Sequence, residues 1–363
     1  MENLTSKYLI NGPNNAIRLT DGKKVLYIFG DYHMPTQYQQ ECPINDEYDS
    51  IDLDKLLLKF IKTEKNKEFD LFIEWDKFNP DLNNTFRNRY IDQIYKLFNS
   101  KILIKKNQIV SSKNFSNFRF HWFDIRSSIP YDNFFFQYGI YTLPFPLYLD
   151  NIEALLKLNK DVINNLELFI KYLNSNENHY INKIKNEYTD LKIKKIMNHL
   201  LKILIFDNIE LSISNIIKIN DYIYKNLKTL KDIFTKPEIK INIQTNIYFK
   251  MKNNMDTVSL IFVVLTDLYF IRRFLTKDYI KNGIIYTGSS HMRNITFILT
   301  TYFKFKITNI FYKNNKFSLK IITKLKTTNF DYLKVMKLNL DILNDYDNPI
   351  QCINLFNFPE NFL

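Results

Sequence analysis

The sequence predicts an α/β protein: a mostly parallel central sheet flanked by helices, with an N-terminal hairpin and a helical insertion. Three observations predict it. Short apolar runs of strand length, "VLYIF", "LFI" and "IIYT", each close on a glycine or an acid, the pattern of strands buried on both faces. Segments with helical spacing separate these runs. From about residue 151 to 235 the pattern becomes purely helical.

The elements follow in chain order. "NNAIRLTDGKKVLYIFG" holds two apolar runs about Asp21-Gly22, a dipeptide suited to a tight hairpin, so Val25 to Phe29 forms a strand ending at Gly30. Seventeen residues without periodicity follow His33, ending in Asp49 and Ser50 as N-cap candidates for the helix "IDLDKLLLKFIKTEK". A loop of that length inside a domain is usually functional. "DLFIEW" is a buried strand from Asp70 to Glu74, completing a βαβ unit, and "FRFHWFDIR", Phe118 to Arg126, is another strand. Leu155, Leu158, Val162, Leu166, Phe169 and Leu173 recur at helical steps, as do Ile216, Ile219, Ile223, Leu227, Leu230 and Phe234. "VSLIFVVLTDLYFI", Val258 to Ile271, is a buried helix, too short and too charged at its end to span a bilayer. Strand Ile284 to Thr287, a glycine turn and a helix from about Ser290 come next, then a strand-turn-strand unit around Asn314-Asn315.

These elements place a discontinuous α/β core at residues 1–150 and 250–330, a helical insertion or cap at 151–249, and a C-terminal extension without readable pattern at 331–363. A hydrophobic fraction of 45% and an aromatic fraction of 16% supply a large core and exclude a disordered composition. The formal charge of +12 rests on lysines spread along the chain, as AT-rich coding would produce, so nucleic acid is disfavoured as a partner. Cys42 and Cys352 form no C-x-x-C, which indicates neither a disulfide scaffold nor a structural zinc site. Residues 1–10 lack the pattern of a signal peptide. A reducing, cytoplasmic setting is expected: the host cytoplasm, or the virion if the composition is that of a large virus. The oligomeric state is left open.

Two of the six glycines begin the same pattern at a strand end: Gly30-Asp31-Tyr32-His33 and Gly288-Ser289-Ser290-His291. Ligands of an open parallel sheet bind outside the carboxyl ends of its strands, so both histidines are expected on one rim. Glu74 closes "LFI" at the same level and needs a polar partner there. Asp124 and Arg126 sit at the corresponding end of "FHWF" and, with Arg293 beyond His291, are candidates for holding substrate.

An early strand ending in Gly-acidic-x-His, a following strand ending in Glu, a helical middle and a late strand ending in Gly-x-x-His together resemble the superfamily of erythromycin esterase-like, ChaN-like and TraB/Tiki proteins. The likeness covers roughly the first eighty residues and 255–312, through Gly30, Asp31, His33, Glu74, Gly288 and His291. It implies an α/β core whose strand-end site serves hydrolysis in some members, with or without metal, and haem binding in others. Asp31 stands where that superfamily usually has Glu.

Two mechanisms follow for a small-molecule or peptide substrate. In one, His33, Glu74 and His291 hold a divalent cation (Zn, Mn or Co) that brings the pKa of water toward ~7. In the other, Glu74 is general base on water and a histidine serves the leaving group or oxyanion, with His33 and Asp31 completing the catalytic set. His291, at a helix start, is then expected to be neutral. The alternative is a catalytically inactive scaffold, or a virion-associated structural or binding protein on the same fold.

Plainer readings accompany these. A single strand-end histidine is commonly structural, and Asp124 with Arg126 reads as a structural ion pair. Asp267, Arg272 and Arg273 read as self-satisfying on a buried helix, and His121 and His199 as packing or surface residues. No G-x-S-x-G elbow or phosphate-binding glycine loop is present.

Overall fold

A computed structural model describes residues 8–31, 40–43, 47–76, 89–99, 103–105, 108–110, 117–130, 151–175, 177–232, 234–312 and 351–359. In chain order the elements are strands β1 (Tyr8–Asn11), β2 (Asn15–Thr20), β3 (Val25–Asp31) and β4 (Asp49–Asp52), helix α1 (Leu53–Thr63), β5 (Phe69–Asp76), α2 (Arg89–Asn99), β6 (Leu103–Lys105), β7 (Gln108–Val110) and β8 (Phe118–Asp124). Helices α3 (Ile152–Asn174), α4 (His179–Asn186), α5 (Leu191–Leu201), α6 (Asp207–Lys225), α7 (Leu227–Lys231) and α8 (Pro237–Thr276) follow. The described chain then closes with β9 (Asn282–Gly288), α9 (Ser289–Tyr302), β10 (Lys306–Tyr312) and β11 (Cys352–Asn354). The chain divides into two compact units, residues 1–124 with 273–363, and residues 125–272.

The α/β class holds, but the sheet of the first unit is mixed rather than mostly parallel. Its order is β10-β2-β3-β9-β5-β8. The run β3, β9, β5 and β8 is parallel, whereas β2 and β10 are antiparallel additions at one edge. Among the described residues a second mixed sheet, β11-β1-β4, and the small pair β6-β7 hold the other strands. Asp49 and Ser50, expected as caps, instead pair with Tyr8 and Leu9, and Asp52 takes the cap position of α1.

The N-terminal hairpin forms about Asp21-Gly22, with Gly22 at φ +87°, a left-handed conformation that glycine adopts without strain. Asp21 Oδ1 accepts from the backbone N–H groups of Lys23 and Lys24 and closes the turn.

The apolar runs are buried because both faces are covered. On one face α1 and α2 pack Leu56, Phe60, Ile94 and Phe98 against Phe29, Leu71, Ile73 and Tyr286. On the other lies α9, whose Met292 comes against Gly30. The helices after β3 and β5 therefore lie on one side of the sheet, and the helix after β9, the strand between them, lies on the other. Chain connections diverge at the carboxyl end of β9, the switch-point geometry at which open α/β sheets present ligand sites.

Gly30 is required for room rather than for its backbone angle. A Cβ there would meet Asn15 Oδ1 at 2.2 Å and Met292 Sδ at 2.7 Å.

The expectation of no disulfide is overturned. Cys42 and Cys352, 310 positions apart, are bonded to each other and fasten β11 beside β1. Pairing across that separation leaves no local sequence signal.

The described residues of the second unit are helical, apart from short turns and connections. On α3 the inward positions are Ile152, Leu155, Asn159, Val162, Leu166, Phe169 and Leu173, alternating steps of three and four. Asn159 takes the place expected of Leu158, and its Nδ2 donates to Asn220 Oδ1 at 2.6 Å. The second periodic segment breaks at Asn226, so Phe234 is 89% exposed instead of continuing the apolar stripe. Val258 to Ile271 is helical and largely buried as expected, but within a single helix, α8, that begins at Pro237. The unit boundary falls within this helix, after Arg272. Among the described residues no helix is long and apolar enough to cross a membrane.

Candidate functional site

Side chains alternate along a strand, so Ile73 facing α1 and α2 turns Glu74 toward the α9 side of the sheet. In β9, Tyr286 faces the α1 side and Thr287 the α9 side, at the same level. The outcome is a buried cluster at the carboxyl ends of β5 and β9. Glu74 Oε2 accepts from Thr287 Oγ1 and from the Gly288 N–H, each at 2.8 Å, and Glu74 Oε1 lies 3.1 Å from His291 Nε2.

Gly288 caps α9, which puts His291 in the first turn and the carboxylate at the partially positive start of the helix, a favourable placement for an anion. Phe123 of β8 sets its ring edge-on to His291 at 6.2 Å.

One strand away, Ser289 binds the same helix start to β3. Asn15 Nδ2 donates to Ser289 Oγ at 3.2 Å, and that hydroxyl lies 2.9 Å from the Asp31 carbonyl and 3.2 Å from Asn14 Oδ1. Its single proton serves one of the two acceptors at a time.

Of the residues expected from sequence, the structure brings Glu74 and His291 together. Asp31 is buried at the end of β3, in register with Gly288, but alternation assigns it to the face of Tyr27 and Phe29, opposite Glu74. His33 lies outside the described residues. Asp124 ends β8, half-buried, and Arg126 opens a short turn, Arg126–Ser128, in the second unit. Arg293 is half-buried on α9, with Nη2 3.3 Å from Ser290 Oγ.

Among the described residues no group of three histidines, cysteines or carboxylates could hold a metal ion. Glu74 Oε1 and His291 Nε2 fit two places of such a site. Their 3.1 Å separation suits a direct hydrogen bond, and also two neighbouring tetrahedral ligands, which at ~2.0–2.1 Å from zinc stand about 3.3 Å apart.

Sequence reasoning missed Thr287, although a small polar residue inside "IIYTG" is a signal in an otherwise apolar strand. It also missed a second carboxylate–histidine pair at the amino ends of the strands. Asp70 Oδ1 lies 2.7 Å from His121 Nε2, and Arg119 donates to both Asp70 oxygens at 2.8 Å. Arg273 Nη2 stands 3.0 Å from His121 Nδ1. Because arginine only donates, Nδ1 accepts and the His121 proton sits on Nε2. Burial lowers His121 to about 4 against the opposing hydrogen bond to Asp70. Burial would raise Asp70, but the hydrogen bonds from Arg119 and His121 hold it below its ordinary value. Arg273 thus serves this amino-end network, and Arg272 Nη1 donates to Glu187 Oε2 at 2.9 Å.

Three proteins of Acanthamoeba polyphaga mimivirus, each described as uncharacterized, are similar to this chain over nearly their whole lengths. Two are 29% identical over 98% of this chain and 97% of their own, and a third is 28% identical over 97% and 98%. No solved structure matches the chain at a significant level. The model of a family of unknown function, DUF5847, matches residues 8–138 and 144–363, so the chain belongs to that family.

Proposed function

We propose that the chain is a hydrolase of ester or amide bonds, working at the carboxyl edge of its parallel strands on a scaffold resembling the erythromycin esterase-like, ChaN-like and TraB/Tiki superfamily. The reading rests on Glu74 and His291, which arrive from different strand ends and stand 3.1 Å apart, buried, at the switch point of the sheet. In the metal-free form Glu74 takes a proton from water through Oε1, since Oε2 already accepts two hydrogen bonds, and a histidine serves the leaving group or oxyanion. In the metal-assisted form Glu74 Oε1, His291 Nε2 and His33 hold a zinc, manganese or cobalt ion, which when bound supplies a water acidic enough to ionise near neutral pH. Arg293 is the cation on α9 for an acidic or carbonyl substrate group.

Elemental analysis of the purified chain and of a folded His33→Ala, His291→Ala variant separates the two forms. A panel of chromogenic esters and peptides, with and without added zinc, manganese and cobalt, tests the reading itself. Turnover that falls at least about 100-fold in Glu74→Gln supports it. A folded wild-type chain with no turnover on the whole panel sinks it.

A second reading, a virion-associated binding or structural protein, draws on the Cys42–Cys352 bond and the viral relatives. Disulfides persist on virions and outside cells more than in a reducing cytoplasm. Co-purification with particles, in a chain without turnover, would select it.

A further inference from the structure

Glu74 ends in a torsion with a broad, shallow preference, so hydrogen bonds set the plane of its carboxylate. Thr287 is fully buried, and its hydroxyl has Glu74 Oε2 at 2.8 Å; the Gly288 N–H, which can only donate, reaches the same oxygen at 2.8 Å. The remaining oxygen, Oε1, is thereby turned to His291 Nε2 at 3.1 Å.

We propose that Thr287 is a positioning residue: with the Gly288 N–H it clamps Glu74 so that Oε1 holds His291 in the tautomer protonated on Nε2. The inference rests on the same pair as the hydrolase reading but requires no turnover. In that tautomer Nδ1 is the ring nitrogen left to accept a proton, and a metal ligated by Nε2 would have to displace the proton there. Valine at position 287 matches threonine in shape but has no hydroxyl, so Oε2 loses one of the donors that set the plane of the carboxylate. Serine retains the donor.

The test uses the full chain, freed of metal with a chelator and labelled with ¹⁵N-histidine, at about pH 8, above the ordinary histidine pKa. Long-range proton–nitrogen correlation reads the tautomer of each of the five histidines, with His291 assigned from a His291→Gln variant. Wild type and Thr287→Ser are expected to show the Nε2–H form at His291. Thr287→Val is expected to lose that single form and show both tautomers, while His121 is unchanged. A wild-type His291 protonated on Nδ1, or a Thr287→Val spectrum identical to wild type at His291, overturns the proposal. The wild-type reading needs no variant, so it decides even if Thr287→Val does not fold. Absent turnover with an intact Nε2–H form would remove the hydrolase reading and leave the clamp.

Discussion

β5 carries two buried carboxylates on the same face, Asp70 near its amino end and Glu74 near its carboxyl end, roughly 13 Å apart at ~3.3 Å per residue, with Phe72 between them. Each meets a histidine, at 2.7 Å and 3.1 Å respectively. Asp70 is held by the bidentate charge of Arg119, and its histidine is backed by Arg273 and stacked on Phe72 at 4.6 Å. Glu74 is held by a hydroxyl and a backbone N–H at the start of a helix. The same pair of residue types can thus be fastened by charge at one end of a strand and posed by neutral donors at the other. Only the second lies where an α/β sheet offers its ligand crevice.

The largest expected effect separates the two ends by stability. Asp70→Ala leaves the buried His121 and the guanidinium of Arg119 without their shared acceptor. Arg119 is 29% exposed and can turn toward water, which puts the cost near the lower end of the range for breaking a buried pair, about 3 kcal/mol, read from urea unfolding. Equal losses in Asp70→Ala and Glu74→Gln would break the comparison.

Acid comes next. The folded-state value of His121 lies at about 4, below its unfolded value of 6.5, so the unfolded chain takes up the proton first as pH falls. This contribution is intact above about pH 6.5 and is lost progressively toward pH 4, amounting to about 2 kcal/mol between pH 7.5 and 5. Unfolding midpoints across that window should flatten in His121→Gln; an unchanged slope would assign the acid sensitivity elsewhere.

Gly30→Ala should cost about 1–2 kcal/mol, because its new methyl meets Asn15 Oδ1 and Met292 Sδ on the side where Ser289 joins α9 to β3. A neutral result would mean that Asn15 moves aside freely. The smallest effect is expected for Glu74→Gln, about 1 kcal/mol, since the amide oxygen can accept from Thr287 and Gly288 while its NH₂ faces a histidine able to exchange tautomer.

Whatever depended on neighbours in sequence was legible. β3, β5, β8 and β9 appear as apolar runs, the hairpin follows from Asp21-Gly22, Glu74 stands out because it closes such a run, and His291 because it ends a Gly-x-x-His pattern that follows one. What depended on distant partners was not. The placement of β9 between β3 and β5, the antiparallel edge of the sheet, and the Asp70–His121–Arg273 network all join residues many tens of positions apart. Thr287 was passed over because its role is defined by Glu74, 213 residues earlier. Asn159 was misread for a different reason: an asparagine whose Nδ2 donates to Asn220 occupies an inward position that an apolar pattern assigns to leucine.

The Cys42–Cys352 bond closes the polypeptide between two cysteines 310 positions apart into a covalent ring. A single backbone cut between those cysteines would therefore release nothing until the sulfurs are reduced, and the nicked chain would travel as one molecule. Protease resistance measured on whole, oxidised protein would report the ring and not the integrity of either unit within it.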